Sequence, residues 1–445
     1  EIEIVSNNLN WYTSGLYFKA DDWVHWSELW VKDEIENLFR MVKDINLGIG
    51  NSSPEKFIIY NNKMYFIADD WIHWKELWVT DWTETWTTMV KDIYIGSTRG
   101  DIDDLIVFNN KLFFHAEDST HWEELWVTDW TEAWTVMLKD INPGSGDSDP
   151  EDFVIYNNKL YFGAGDWTNW KELWVTDWTE TWTTMVKDIN LGSGNSFPGL
   201  FTVCNNKIMF YADNGSLWKE LWVTDWTEVW TTIVKDIYAW ISASYPAYFE
   251  VHNNKLYFKA NDWVSWSELW ISDWTEVGTT MIKDIYPAAS SSNPSTLQVY
   301  NNKIYFQANE WVYWTELWVT DGTGSWTTLV KDIYSGSIGS YPKEPTVYNN
   351  KLYFRAKESA TSDELWVTDG TETGTTLVKD IYPNSGNSDL SWFTVYNNKI
   401  YFRANDWTNW YELWISDGTG TGTIMLENIN PGVGNWFPYY FTIFQ

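Results

Sequence analysis

The chain has 445 residues, of which 44% are hydrophobic, and a formal net charge of −33 with a pI near 4.3. This acidity argues against binding to nucleic acid or to anionic membrane surfaces. The single cysteine, Cys204, excludes an internal disulfide framework and a cysteine-rich metal cluster. The sequence also has no apolar run near the ~20 residues that a transmembrane helix needs.

From its beginning to its end, the sequence repeats one motif. The tryptophan of the tripeptide ELW recurs every 48 residues, at Trp30, Trp78, Trp126, Trp174, Trp222, Trp270, Trp318, Trp366 and Trp414. A fixed period of this size indicates a solenoid, a propeller or an array. We therefore predict that residues 1–445 form a single repeat domain of nine units. Each unit packs only on its neighbours, so the chain can exceed the usual size of one globular core.

Each unit contains four short segments rich in aromatic and β-branched residues. In the last complete unit they are 393–396 (FTVY), 400–404 (IYFRA), 412–417 (ELWISD) and 423–429 (TIMLENI). Asn, Gly, Asp and Thr separate them, a pattern that is typical of strands. No unit has a helical period, so the sequence predicts an all-β fold.

The connections between these segments predict the architecture. The first two strands are joined by an Asn-Asn turn, as at Asn397-Asn398, and the only long connection follows the fourth strand, as at 142–152. Three tight turns and one long crossing predict four-stranded meanders arranged as the blades of a β-propeller. We expect residues 441–444 to complete the first blade beside 16–20 and to close a ring of nine blades. The alternative is an open array that continues beyond Gln445.

The stretch ELWVTDGTETGTTLVKDI at 364–381 resembles the bacterial ELWxxDGTxxGT repeat proteins, and the likeness spans nearly the whole chain. This resemblance implies a secreted or surface-anchored protein and supplies no catalytic residues. The chain begins at Glu1, so we expect either a mature form without its signal peptide or a fragment of a longer protein. The predicted function is a non-enzymatic, extracellular or cell-surface scaffold for interaction or adhesion, with an unknown protein or glycan as its partner.

Tryptophan stands in many columns where the repeat family has glycine. One column contains Trp82, Trp130, Trp178, Trp226, Trp274, Gly322, Gly370 and Gly418. A second contains Trp86, Trp134, Trp182, Trp230, Gly278, Trp326, Gly374 and Gly422, and Trp240 falls in a third glycine column. The smallest and the largest side chain rarely substitute for each other through packing. We hypothesise that many of these tryptophans are glycine codons, UGA among them, translated with the wrong genetic code.

If the tryptophans are genuine, they predict a different function. Exposed aromatic rings at repeated loop positions would stack on sugars, as in a carbohydrate-binding, lectin-like propeller. The predicted ligand-binding residues flank the loop before ELW: Trp23, Trp26, Trp71, Trp74, Trp167, Trp170, Trp263, Trp266, Trp311, Trp314, Trp407 and Trp410.

Other candidate chemistry is weaker. His25, His73 and His121 share one column, but equivalent positions on neighbouring blades lie too far apart for one zinc ion. His115 and His252 are interpreted as structural, as are the acidic columns, because these recur in nearly every unit. A glycoside hydrolase would need two placed carboxylates and is a distant alternative. We predict no catalytic residues, no metal and no cofactor, apart from calcium in the Asp/Asn-rich loops at 147–152, 261–262 or 405–406.

Overall fold

The computed structural model describes residues 15–22, 24–33, 38–96, 100–239, 242–287, 290–336, 338–358, 363–383, 386–427 and 438–444. The predicted architecture is confirmed. Nine four-stranded antiparallel sheets form the blades of a closed β-propeller. The described residues contain three 3-10 turns and no α-helix, and none of their helices is long and apolar enough to cross a membrane.

The first three blades are built as follows. Blade 1 consists of β1 (Gly15–Ala20), β2 (Glu28–Asp33), β3 (Leu38–Lys43) and the last strand, β36 (Tyr439–Phe444). Blade 2 consists of β4 (Glu55–Tyr60), β5 (Lys63–Asp69), β6 (Lys75–Thr80) and β7 (Thr88–Lys91). Blade 3 consists of β8 (Asp103–Phe108), β9 (Lys111–Ala116), β10 (Glu124–Thr128) and β11 (Val136–Lys139).

The next three blades repeat the same order. Blade 4 consists of β12 (Glu151–Tyr156), β13 (Lys159–Gly165), β14 (Lys171–Thr176) and β15 (Thr184–Lys187). Blade 5 consists of β16 (Gly199–Cys204), β17 (Lys207–Asp213), β18 (Lys219–Thr224) and β19 (Thr232–Lys235). Blade 6 consists of β20 (Ala247–His252), β21 (Lys255–Asp262), β22 (Trp266–Ser272) and β23 (Thr280–Lys283).

The last three blades complete the ring. Blade 7 consists of β24 (Ser295–Tyr300), β25 (Lys303–Glu310), β26 (Trp314–Thr320) and β27 (Thr328–Lys331). Blade 8 consists of β28 (Lys343–Tyr348), β29 (Lys351–Ala356), β30 (Glu364–Thr368) and β31 (Thr376–Lys379). Blade 9 consists of β32 (Ser391–Tyr396), β33 (Lys399–Asn405), β34 (Tyr411–Ser416) and β35 (Ile424–Glu427). The three 3-10 turns are Glu132–Trp134, Glu180–Trp182 and Gly324–Trp326.

The ring closes as the sequence predicts. Strand β36 pairs antiparallel with β1, so that Leu16 lies opposite Ile443 and Tyr17 opposite Thr442. The ring of Phe441 lies 5.8 Å from that of Phe18. The last strand of the chain therefore supplies the innermost strand of the first blade.

The hydrophobic core lies between the blades. The second strand of each blade, such as β5, is buried at almost every position, and ELW lies beside it. One cluster joins Tyr17 and Val31 of blade 1 to Phe66 and Trp78 of blade 2. The innermost strands of neighbouring blades contact one another around the ring and surround a central channel.

The hairpin turns contain residue types that suit their backbone conformations. Asn61 and Asn62 both adopt left-handed φ, of 46° and 61°, and the same Asn-Asn turn recurs in blades 2 to 9. This conformation is the type I′ hairpin turn that Asn tolerates. At the other hairpin, the Asp81 carboxylate accepts a hydrogen bond from the Thr83 N–H at 3.1 Å, and Thr80 Oγ1 lies 2.7 Å from Thr87 Oγ1.

The tryptophans of the first glycine column adopt the backbone conformation of glycine. Their φ values run from 65° to 82°, beside 91° to 96° for the three glycines of that column. Trp71 and Trp407 likewise match Gly215, although Trp167, Trp263 and Trp311 do not adopt left-handed φ. Trp240 and Trp23 lie outside the described residues. A left-handed φ costs an L-residue about 1–2 kcal/mol, which supports the hypothesis of mistranslated glycines.

The mass of the natural protein tests that hypothesis. Each tryptophan replaced by glycine lowers the mass, so we expect the protein isolated from its native organism to be lighter than the 52.4 kDa of this sequence. Intact mass spectrometry and near-ultraviolet absorbance measure the number of tryptophans. A mass that accounts for all 37 tryptophans contradicts the hypothesis.

Candidate functional site at the channel mouth

One face of the propeller carries the inter-blade crossings and the loops between second and third strands. At eight crossings, in the described part of the chain, the backbone is left-handed just before the innermost strand, with φ between 38° and 49°. We call these residues the mouth positions: Ser53, Asp101, Asp149, Phe197, Tyr245, Asn293, Tyr341 and Asp389. Left-handed φ at non-glycine residues is strained and concentrates at functional sites. The side chains differ from blade to blade, so individual blades can bind different groups here.

Blades 3 and 4 bring together a histidine and two carboxylates at this mouth. His115 lies on β9, Glu123 precedes β10, and Asp149 is the mouth position that leads into β12. One potential ligand atom from each lies within 4.8 Å of the other two. No other His, Cys, Asp or Glu group of three in the described ranges meets that criterion.

The fold fixes the orientation of His115. Its side chain is 8% exposed, and Nδ1 lies 2.7 Å from the Pro150 carbonyl oxygen. A carbonyl accepts but cannot donate, so Nδ1 carries the proton and Nε2 of the neutral ring is an acceptor. Metal-binding histidines are commonly held in this way through their other nitrogen.

Acidic neighbours surround Glu123. The pKa of Glu123 is raised to about 7, chiefly by burial; the imidazole of His115 lowers it, and the nearby carboxylates Asp147 and Asp149 raise it. The Asp149 N–H also donates to the Glu123 carbonyl oxygen at 3.1 Å, which ties the two segments together. The cluster is therefore a place where adding a cation relieves repulsion between carboxylates.

A cation already lies beside the cluster. The buried Lys171 ammonium is 2.6 Å from Asp149 Oδ2 and 2.6 Å from Glu151 Oε1. It neutralises part of the negative charge of Asp149 and Glu151.

A cleft of about 520 Å³ adjoins the cluster at Asp149, whereas His115 and Glu123 are not among the residues that line it. Its walls include Asp149, Lys171 and the exposed rings of Trp167, Trp170 and Phe197. An apolar wall with a few charged groups at one end is the usual form of a small-molecule site.

The other histidines that the sequence singled out do not join a metal site. His25, His73 and His121 each lie about 3 Å from their own loop aspartate, at 3.0, 2.9 and 3.1 Å. In the part of the chain that is described, none of them belongs to a group of three metal-binding side chains. They close the loop before ELW in their own blades.

The glutamate of ELW is structural in every blade described. Each of these side chains is fully buried, and Glu124 is typical. Its carboxylate accepts hydrogen bonds from the Ile141 N–H at 2.7 Å, the Asn142 N–H at 3.0 Å and the Ser148 hydroxyl at 2.7 Å. The column therefore anchors the crossing that leads to the next blade.

The predicted ligand-binding tryptophans are exposed at the same face. Exposed fractions range from 41% for Trp74 to 77% for Trp167. The members described are Trp26, Trp71, Trp74, Trp167, Trp170, Trp263, Trp266, Trp311, Trp314, Trp407 and Trp410. Rings of the preceding crossing lie beside some of them, such as Tyr238 at 6.0 Å from Trp263. Their role as ligand platforms stays a prediction, and only Trp167 and Trp170 adjoin the histidine–carboxylate cluster.

The sequence alone did not predict the cluster, because no other unit has a histidine in the column of His115 and this residue was therefore interpreted as structural. The clue was present in the repeat: His115 occupies a column that otherwise holds Lys19, Ile67, Gly163, Tyr211, Lys259, Gln307, Arg355 and Arg403. A column whose residue type varies this much between units is not required for the shared core, so it marks a position that is open to specialised chemistry. Which of them meet in space depends on the crossing from blade 3 to blade 4.

No protein-family model and no curated protein matches this chain. Among solved structures, it resembles a puromycin-hydrolyzing peptidase of Mycobacterium tuberculosis, with TM-score 0.41, 8% identity and coverage of 76% of this chain and 54% of that one. It also resembles oligopeptidase B of Leishmania major, with TM-score 0.39, 10% identity and coverage of 74% and 49%. The β-propeller domain of the Trilobed protease from Pyrococcus furiosus matches with TM-score 0.35, 12% identity and coverage of 75% and 100%.

These neighbours require a correction. They are peptidases or a protease domain, so they do not support the predicted non-enzymatic scaffold or its sugar-binding and glycosidase alternatives. The prediction that the protein is not an enzyme likewise finds no support in them. The chain spans about half the length of the two peptidases. At these identities the likeness concerns the fold alone, so any activity must be argued from the residues of this chain.

Proposed function

We propose that the protein is a metal-dependent hydrolase whose single divalent ion is held by His115, Glu123 and Asp149. The observation that carries the proposal is the convergence of these three side chains within 4.8 Å at the channel mouth. This proposal departs from the sequence prediction of no metal and no catalytic residues.

The chemistry of the donors favours a first-row transition metal or zinc. An imidazole nitrogen with carboxylate oxygens suits Zn²⁺ or Mn²⁺ better than Ca²⁺, which takes six to eight oxygen ligands. Three protein ligands also leave a coordination position open, as in catalytic zinc sites. A water molecule in that position would lose a proton more readily and become a nucleophile at neutral pH.

The surroundings fit hydrolysis of an ester or amide. The cleft can hold the apolar part of a ligand against Trp167, Trp170 and Phe197. The Lys171 ammonium lies beside Asp149 and can stabilise the negative charge that develops on a carbonyl oxygen.

Metal binding tests this proposal directly. We expect Zn²⁺ or Mn²⁺ to bind at one site by isothermal titration calorimetry, and Glu123→Gln to weaken that affinity more than tenfold, because it removes an anionic ligand. His73→Gln is the matched control, since His73 also lies 2.9 Å from a carboxylate but belongs to no cluster. Chelation should abolish ester hydrolysis by the parent protein. Equal metal affinity in the Glu123→Gln and His73→Gln variants contradicts the site, and activity that survives chelation contradicts its catalytic use.

Membership of the ELWxxDGTxxGT repeat proteins and a location outside the cytoplasm are also proposals. The support for both is the motif itself, which recurs through the nine units. The complete gene from the source organism tests them, because a secretory signal sequence would precede the mature chain.

A further inference from the structure

We propose that the central channel binds a lysine or arginine side chain of an extended polypeptide, in a pocket formed by Phe57, Glu344, Trp392 and Tyr440. This site lies on the wall of the channel, whereas the metal cluster lies at its mouth between blades 3 and 4. The two proposals are independent of each other.

One residue of every innermost strand has a left-handed φ, between 52° and 63°. We call these residues the channel ring: Lys56, Asp104, Asp152, Leu200, Tyr248, Thr296, Glu344, Trp392 and Tyr440. Contacts between neighbouring members support their common level, since the Asp152 N–H donates to Asp104 at 2.9 Å and the Leu200 N–H donates to Asp152 at 3.2 Å. In each of the nine blades, one residue of the innermost strand thus keeps a left-handed backbone, and its residue type varies around the channel.

Blades 8, 9, 1 and 2 form a pocket of about 430 Å³ on this ring. Trp392 and Tyr440 lie 5.0 Å apart with their rings inclined by 55°, and Phe57 meets Tyr440 edge to face at 6.4 Å. A cation in the pocket that lies within about 6 Å of a ring centroid is attracted by the face of that ring. The column of Trp392 contains no glycine, so the uncertainty about mistranslated glycines does not extend to it.

Charge favours a cation over an anion here. The channel ring contains three carboxylates, Asp104, Asp152 and Glu344, and one ammonium group, Lys56. Lys56 also lines the pocket, and its ammonium lies 2.7 Å from Asp103, outside the ring, so that its charge is largely compensated. Glu344 lines the same pocket as the aromatic rings. A ligand ammonium or guanidinium can therefore meet both aromatic faces and a carboxylate.

The residues that follow the channel ring along the innermost strands favour the alkyl part of a lysine or arginine side chain. Three residues beyond each member of the channel ring stands a β-branched aliphatic residue: Ile59, Val107, Ile155, Val203, Val251, Val299, Val347, Val395 and Ile443. Four of them, Ile155, Val203, Val347 and Val395, are 37–41% exposed. A lysine or arginine side chain combines an apolar stem with a cationic end, which matches this succession of surfaces.

Peptide binding tests the inference. We expect acetyl-Ala-Ala-Lys-Ala-Ala-amide to bind saturably at 150 mM salt, measured by calorimetry, and the peptides with norleucine or glutamate at the central position to bind at least tenfold more weakly. Trp392→Leu and Glu344→Gln should each weaken binding of the lysine peptide about tenfold. Thr296→Val, in the same ring but outside the pocket, should leave it unchanged.

Two outcomes overturn the inference. Equal affinity for the lysine and norleucine peptides would show that the cation is not recognised. Equal affinity of the parent and the Trp392→Leu variant would show that the peptide binds elsewhere on this acidic surface. Metal binding in the Trp392→Leu variant should match the parent, so failure of this inference is distinguishable from failure of the hydrolase proposal.

Discussion

The melting temperature is expected to fall by on the order of 10 °C as the pH rises from 5 to 8. Burial raises the pKa of the ELW glutamates, to about 7 for Glu124 and about 8 for Glu28, although each carboxylate also accepts hydrogen bonds that oppose the change. The same direction holds for Glu76, Glu172, Glu220, Glu268, Glu316 and Glu364. Eight buried glutamates therefore contribute to the pH dependence of stability in the same direction.

The direction of this pH effect follows from the difference in glutamate pKa between the folded and unfolded states. The unfolded chain releases these protons near pH 4.5, whereas the folded chain keeps them until about pH 7 or 8. Between those limits the folded state binds more protons, so the free energy of unfolding declines as pH rises. One pKa unit corresponds to about 1.4 kcal/mol per site. The net charge of −33 adds self-repulsion in the same direction.

Differential scanning calorimetry across this pH range measures the effect. Glu124→Gln removes one titrating site, so the variant should gain stability relative to the parent as pH rises. Glu132→Gln, at an exposed glutamate of the following turn, serves as the control and should show no such trend. A melting temperature that is constant or rises between pH 5 and 8 contradicts the assignment.

Gly370→Trp is expected to destabilise the protein by about 1–3 kcal/mol. Gly370 has a φ of 94°, and a Cβ atom built there would lie 2.3 Å from the Tyr305 hydroxyl oxygen. The substitution adds both backbone strain and a steric clash. Chemical denaturation measures the loss, and Glu372→Trp, at an exposed neighbouring position of the same turn, controls for the added indole.

The exposed Trp407 provides the reverse experiment. It has a φ of 76° and is 71% exposed, so Trp407→Gly relieves strain with little loss of packing and should stabilise by about 1 kcal/mol. Trp407→Ala should give no comparable gain in stability, because alanine keeps a Cβ atom.

Trp82 is different from Trp407. Its ring is 2% exposed and lies 4.3 Å from that of Tyr17, so lost packing of about 3–5 kcal/mol outweighs the relief of backbone strain. If Gly370→Trp is neutral, the column tolerates both residues and the strain argument fails.

The fold could be predicted because local and global patterns agree in every unit. Asn61-Asn62 specifies a hairpin, the ELW segment specifies a buried strand, and the crossing at 142–152 specifies transfer to the next blade. The closure by 441–444 followed from a partial tenth repeat that matched the gap in the first blade. Each of these inferences depends on short-range sequence, which the 48-residue period places in a common frame.

The site could not be predicted in the same way. His115, Glu123 and Asp149 are separated by up to 34 residues, and their meeting depends on how the crossing folds back over the blade. A 48-residue repeat draws attention to columns that recur, whereas the proposed metal ligands lie in columns that vary. The functional class was predicted from the family resemblance, which contains no information about these three side chains.

The closure of blade 1 has a consequence for biosynthesis. Until β36 emerges from the ribosome, the inward edge of β1 has no strand to pair with, and an exposed edge of this kind can recruit a second chain. The nascent protein therefore carries an open seam from the synthesis of β1 until that of β36, more than 400 residues later along the chain. A circularly permuted gene that begins at Glu55 and ends with residue 54 would place all four strands of blade 1 in succession and should aggregate less while it is being made.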